Sequence, residues 1–278
     1  MNYSKDKKIL VIALDGATLN VLSPLMDEGL LPNLAKMASE GIHGELCSTI
    51  PPITGPAWAT FMTGKNPGKH SILEFLKKAP DGTEYPINST EVDGSMLWEI
   101  LSNTGKKVVV INVPVTYPPR VVDGVLLADF LTPMGRRDFG FPSGIIEELE
   151  KRFGPYRLYI SEVYSPGKVD RVLDELLEVL DYRVRTACYL METRQWDFFM
   201  VHIWGTDRIQ HELWHILDAT HTCHNEGEAN AYRSRIIEYF RKVDEKKLRD
   251  YVAENSDHTL KLTSRSFRIE IPKCWQMA

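Results

Sequence analysis

Several short stretches of this sequence carry side chains able to do chemistry. Thr54 lies in Ser48-Thr49-Ile50-Pro51-Pro52-Ile53-Thr54-Gly55-Pro56-Ala57-Trp58, where the paired prolines hold an extended approach and Gly55 frees the turn. Pro56 suits the first position of a helix with an apolar face of Trp58, Phe61 and Met62, closed by Gly64. A hydroxyl just ahead of a helix N-terminus meets unpaired N–H groups and the positive dipole end, which favour a phosphate-like anion. Thr54 is therefore a candidate nucleophile, with an ordinary helix cap as the alternative.

Asp15 follows an apolar run and precedes Gly16, so it is either a carboxylate at a strand end, where ligands gather, or a turn residue. Asp207 and His211 are four apart and share a helical face, a spacing that lets a carboxylate and an imidazole grip one ion. The same stretch contains His211-Glu212-Leu213-Trp214-His215, an H-E-x-x-H zinc-peptidase pattern, with His221 at the third histidine of its longer form. Asp218 stands where that longer form needs Gly to break the helix. A polar helix with solvent-facing histidines is the remaining alternative.

These residues need a scaffold. Residues 8–14 are a continuous apolar run, as expected of a strand buried on both faces. A helix over 32–40 should turn Leu34, Met37 and Ala38 inward and end at Gly41, and a second, over 95–103, should be capped by Ser95. Residues 77–94 are polar and turn-rich and read as a surface excursion. Residues 108–114, 125–130 and 195–204 supply three more strands, with Asn112 near a strand end as a site or turn residue. Helices between strands indicate a doubly wound α/β sheet. Residues 132–192, with helices near 143–153 and over 169–192, are expected to form a lid or insertion.

Composition limits the partners. The chain has 278 residues, 43% of them apolar, enough for a substantial core. Its formal charge of −5 and lack of long single-sign runs give no reason to expect a nucleic-acid polymer. Cys47, Cys188, Cys223 and Cys274 are scattered without a C-x-x-C pair, so reduced thiols are expected. No run is long enough for a bilayer or a secretory signal, and a cytoplasmic location without a membrane partner is expected.

Taken in order, Leu14-Asp15-Gly16-Ala17, Pro51-Pro52-Ile53-Thr54-Gly55-Pro56-Ala57-Trp58, Thr63-Gly64-Lys65-Asn66-Pro67-Gly68-Lys69-His70, Ile111-Asn112-Val113-Pro114-Val115-Thr116-Tyr117-Pro118-Pro119, and Asp207 with His211 form a joint pattern. It resembles the alkaline phosphatase superfamily, in its nucleotide pyrophosphatase/phosphodiesterase-like branch and the phosphohydrolases or phosphomutases close to it. The resemblance implies a three-layer, mostly parallel doubly wound sheet with helices on both faces. It also implies two divalent metal ions, usually zinc, with Asp15 and Thr54 on one and Asp207 and His211 on the other. Thr54 would attack a small phosphate ester or phosphodiester in line, giving a phosphothreonine that water reopens.

Departures from the pattern shape the expectation. Ser71 replaces the Gly usual after His70, and Phe75 occupies the place of a substrate-contacting Asn, so nucleotide preference does not carry over. The family's later Ser-Asp-His-Gly follows a buried strand, whereas Ser256-Asp257-His258-Thr259 follows a helix-end-like 251–255 and reads as turn chemistry. The positional counterpart is 259–264 followed by Arg265-Ser266-Phe267-Arg268, which one nucleotide of frame shift would allow to read Asp-His-Phe-Gly. The expectation is thus a domain over 1–264 with a foreign tail over 265–278, missing C-terminal strands and an incomplete two-metal site. Three functions follow: a metal-dependent phosphoryl-transfer scaffold with Thr54 as nucleophile that lacks part of its two-metal site and is either active or inactive, a non-catalytic remnant binding at most one metal, or a zinc peptidase.

Overall fold

The structure is a computed structural model that describes residues 8–44 and 46–245. Asp257, His258, the 259–268 stretch and the 265–278 tail lie outside the described residues. In chain order the first half contains β1 (Ile9–Leu14), α1 (Leu19–Asp27), α2 (Pro32–Glu40), α3 (Thr54–Thr63), α4 (Pro67–His70), β2 (Leu76–Lys78), β3 (Glu84–Pro86) and α5 (Leu97–Asn103). The second half contains β4 (Val108–Ile111), β5 (Gly124–Leu127), β6 (Gly140–Phe141), α6 (Ile145–Phe153), α7 (Val169–Thr193), β7 (Phe198–Ile203), α8 (Gly205–Leu217) and α9 (Glu226–Glu245).

The five-stranded sheet has the order β1-β7-β4-β5-β6. Its first four strands are parallel, and β6 pairs antiparallel to β5. Side-chain alternation then makes two cores. Val109, Ile111, Val125, Leu127, Phe199 and Val201 face a layer that includes Leu149 of α6, Leu176 of α7, Leu213 of α8 and Phe240 of α9. Val108, Val110, Leu126, Phe198 and Met200 face Ala59 and Met62 of α3 and Trp98 of α5. The result is the expected mostly parallel sheet with helices on both faces, each fully buried Leu, Val or Phe contributing roughly 1.5–3 kcal/mol. No helix of the described residues is long and apolar enough to cross a membrane.

Several local expectations need correction. β1 is not buried on both faces: it pairs with β7 alone among the described residues, and Ile9 and Ile12 are 42% and 39% exposed. An edge strand shares its neighbours' cover on one side only, which leaves Ala13 as its one fully buried residue. α3 begins at Thr54, two residues before Pro56, because a proline is tolerated in a first turn whose N–H groups have no intrahelical acceptor. Its buried positions are Gly55, Pro56, Ala59 and Met62, while Phe61 is 44% exposed. Gly64 closes it in the left-handed region, at φ 65°.

Met37 of α2 points to solvent although Leu34 reaches the core. The α5 cap is not Ser95 but Met96, whose N–H donates to the Glu99 carboxylate at 2.7 Å. Within 77–94, β2 and β3 form an antiparallel hairpin. Within 132–192, α7 packs Val172, Leu176, Leu180 and Ala187 into the first core, and 154–164 runs without regular structure past the strand ends.

Candidate active site

The parallel strands β1, β7, β4 and β5 all end at one rim of the sheet, and that rim carries the candidate residues. The β1–β7 ladder runs on to Asp15, whose N–H donates to Ile203 O at 3.0 Å. Thr206 Oγ1 donates to Asp15 O at 2.6 Å, and Gln210 Nε2 donates to Gly16 O at 2.8 Å. These bonds fasten the turn after β1 to the first turns of α8, where Asp207 sits. Gly16 takes φ 63°, and a Cβ there would lie 2.9 Å from Asp207 Oδ1. Glycine thus permits both the turn and the close approach of the two acidic residues.

Asp15 is buried, and its Oδ2 lies 3.2 Å from His202 Nε2. His202 is wholly buried in β7, and burial pushes its imidazole below its ordinary range while Asp15 pulls the other way. Burial raises the Asp207 carboxyl above its ordinary range, and the charge of Asp15 adds to the rise; His211 and Arg208 oppose it. His211 Nε2 lies 3.5 Å from Asp207 Oδ2, on a side chain 69% exposed. Asp15, Asp207 and His211 therefore come together, with His202 as an added partner.

Thr54 enters from the other layer. The Trp58 ring meets the His202 ring edge-on, with centroids 4.7 Å apart. Thr54 and Trp58 are one helical turn apart on one face of α3, so the half-buried Thr54 lies on the side of α3 that faces the Asp15–His202 pair.

A model of the family described as type I phosphodiesterase / nucleotide pyrophosphatase matches residues 9–264. The chain belongs to that family. Its membership agrees with the alkaline-phosphatase-superfamily resemblance of the motifs. No curated protein matches. Among solved structures, phosphonoacetate hydrolase from Sinorhizobium meliloti 1021 in complex with phosphonoacetate is similar at TM-score 0.52 and 16% identity, over 86% of this chain and 53% of that one. The same enzyme in complex with phosphonoformate is similar at TM-score 0.53 and 16% identity, with the same coverage. The likeness is one of fold, and the chain spans about half the length of those proteins.

Within this phosphodiesterase-family scaffold the acidic pair fits a divalent cation by its chemistry, since a cation would offset the repulsion that raises Asp207. Among the described residues, no three or more His, Cys, Asp or Glu side chains are arranged to hold a metal ion.

The H-E-x-x-H reading is not supported by the geometry. Glu212, which a peptidase would use as a free general base, accepts from Tyr164 N at 2.7 Å and pairs with Arg208. His215 is turned inward, with its ring 4.7 Å from that of Tyr164 and its Nε2 3.4 Å from Glu228 Oε2, whereas His211 faces Asp207. The Asn112 side chain serves the neighbouring loop, donating from Nδ2 to Ala128 O at 2.5 Å and accepting from Tyr156 OH at 2.9 Å at φ 55°, while its backbone lies beside the His202 imidazole. His202 is the residue that motif reading missed; its only signal is a polar side chain inside an otherwise apolar strand.

Proposed function

We propose that this chain is a metal-dependent phosphoryl-transfer scaffold acting on a small phosphate ester or phosphodiester, with Thr54 as nucleophile. The observation that carries the reading is the juxtaposition of Asp15 and Asp207 at the rim, with His211 beside Asp207 and Thr54 on the α3 face that rests on His202. Asp15 and Thr54 would hold one divalent cation and Asp207 and His211 the other, zinc being the expected metal. Bound cations lower the pKa of a hydroxyl and neutralise charge on the phosphoryl oxygens.

The protein's own part is positioning. The N–H groups of Thr54 and Gly55 lie in the first turn of α3, at the positive end of its dipole, and suit a phosphoryl oxygen. Thr54 Oγ1 attacks phosphorus in line, the alcohol departs, and water reopens the phosphothreonine. His202 orients Asp15, and Gln210 and Thr206 fix the turn that carries it. The small phosphonates in the two similar structures fall in the same ligand size class.

A second reading, cation binding without turnover, is favoured by the lack of a three-donor group among the described residues. Zinc-supported hydrolysis of bis-p-nitrophenyl phosphate separates the two. Turnover that disappears in Thr54→Ala and persists in Glu212→Ala supports the phosphoryl-transfer reading. Zinc retained with no Thr54-dependent turnover supports the second, and loss of turnover in Glu212→Ala alone would overturn both.

A further inference from the structure

A cleft opens beyond β5. It has a volume of about 360 Å³, within the range of small-molecule sites, and is lined by Thr132, Arg136, Arg137, Glu150, Tyr156 and Arg157, among others. Thr132 reaches it five residues after the end of β5, with its N–H bonded to Asp129 O at 3.1 Å. The cleft thus belongs to the rim formed by the carboxyl ends of the parallel strands, where open α/β sheets bind ligands.

Two independent features point to an acidic ligand. Thr132 is only 4% exposed, yet its hydroxyl has no hydrogen-bond partner among the described residues. A buried donor left unmatched is unusual and is explained when a ligand or water completes it. Three guanidinium groups also line the cleft, against Glu150 as its one acidic side chain. Each is steadied by carboxylates: Arg136 by Asp138, Arg137 by Glu147 and Glu150, and Arg157 by Glu178 at 2.8 Å. All three arginines are more than half exposed, so these pairs are weak and leave donors of each five-donor fork for a bound oxyanion.

The wall is braced against the candidate active site. Tyr156 OH donates to Asn112 Oδ1 at 2.9 Å, and Tyr156 N donates to Glu150 Oε1 at 3.1 Å. The buried Arg183 of α7 donates from Nη1 to His202 O at 2.9 Å and from Nη2 to Leu158 O at 3.5 Å. One side chain therefore ties the strand whose imidazole holds Asp15 to the segment that walls the cleft.

We infer that this cleft is a second anion subsite, which holds the non-reacting acidic end of the substrate, a phosphate or a carboxylate, while the reacting phosphoryl group lies at Thr54. The assignment of that other end rests on the phosphoryl-transfer reading; the subsite itself is testable without it. Calorimetric titration of the full chain in EDTA, with inorganic pyrophosphate and with malonate, reads anion binding without the cations, and the cleft's share of it is the part that responds to substitutions in the cleft. Saturable binding of at least one probe is expected, weakened about tenfold by Thr132→Val and by Arg157→Gln and kept by Thr132→Ser. Pyrophosphate binding without malonate binding assigns a phosphate end, and the converse a carboxylate end. Binding of neither probe, or wild-type binding by Thr132→Val, overturns the subsite. Anion binding that survives in a chain with no Thr54-dependent hydrolysis keeps the subsite and overturns the reaction instead.

Discussion

Asp207 shows at the scale of one residue how a site can be set against stability. Its carboxyl is raised by burial and by the charge of Asp15, so the cation-free fold carries a repulsion that a bound cation would relieve. Asp207→Asn should therefore raise the melting temperature in EDTA, by about 2–4 °C for each kcal/mol relieved, and abolish the further rise that zinc gives the wild type. Equal zinc-dependent shifts in both proteins would contradict this. Gly16→Ala tests the same contact from the backbone side. At φ 63°, with a Cβ 2.9 Å from Asp207 Oδ1, it should cost about 1–2 kcal/mol or more in urea denaturation and weaken zinc binding along with stability. Asp129 gives a pH signature away from the cation site. It is wholly buried, its Oδ2 accepts from Val115 N at 3.0 Å in the turn where Val115 takes φ 65°, and burial pushes its carboxyl from 3.8 up to about 7. The folded chain thus holds a proton that the unfolded chain releases, so this contribution is full below 3.8 and is lost as pH rises toward 7. Asp129→Asn should gain stability relative to wild type between about pH 5 and about pH 8, by an amount on the order of a few kcal/mol. Parallel pH curves for the two proteins would count against it.

Among the elements, β7 does most to place the site. It lies between β1 and β4, all six of its residues are buried, and it carries His202 while leading directly into the helix of Asp207 and His211. Phe199, wholly buried with Val201 on the core face covered by α6 to α9, should cost about 3–5 kcal/mol when cut to Ala, measured by urea denaturation, and a loss within that range should leave the fold intact at low temperature. The strand itself is legible from its apolar run, as are β4 and β5, because a parallel strand covered on both faces needs no alternation of polar residues. β1 has the same kind of sequence and a different setting, since a run of apolar residues carries no information about which strands will flank it. The start of α3 is misread for a related reason: Pro56 suits a first turn at more than one position, and it is the backbone after Ile53 that decides which.

Over the whole molecule, the order of the motifs along the chain is enough to identify the family, since Asp15, Thr54, Asp207 and His211 each sit beside local signals such as Gly16, Pro56 or a helical spacing of four. What joins them is not local. His202 reaches Asp15 only because β7 lies next to β1, and Arg183 reaches His202 O only because α7 packs on the sheet; neither the added imidazole nor the arginine-lined cleft has a signature in the chain. Both come from strand order and layer packing, which the residue pattern leaves open. If the four motif residues converge on bound cations, anomalous diffraction at the zinc edge from crystals of the full chain grown with zinc shows it most directly. Zinc within about 2.0–2.2 Å of Asp15 or Thr54, or of Asp207 and His211, is the result expected. Zinc bound only around His215 and His221, or at no position near these four residues, would contradict it.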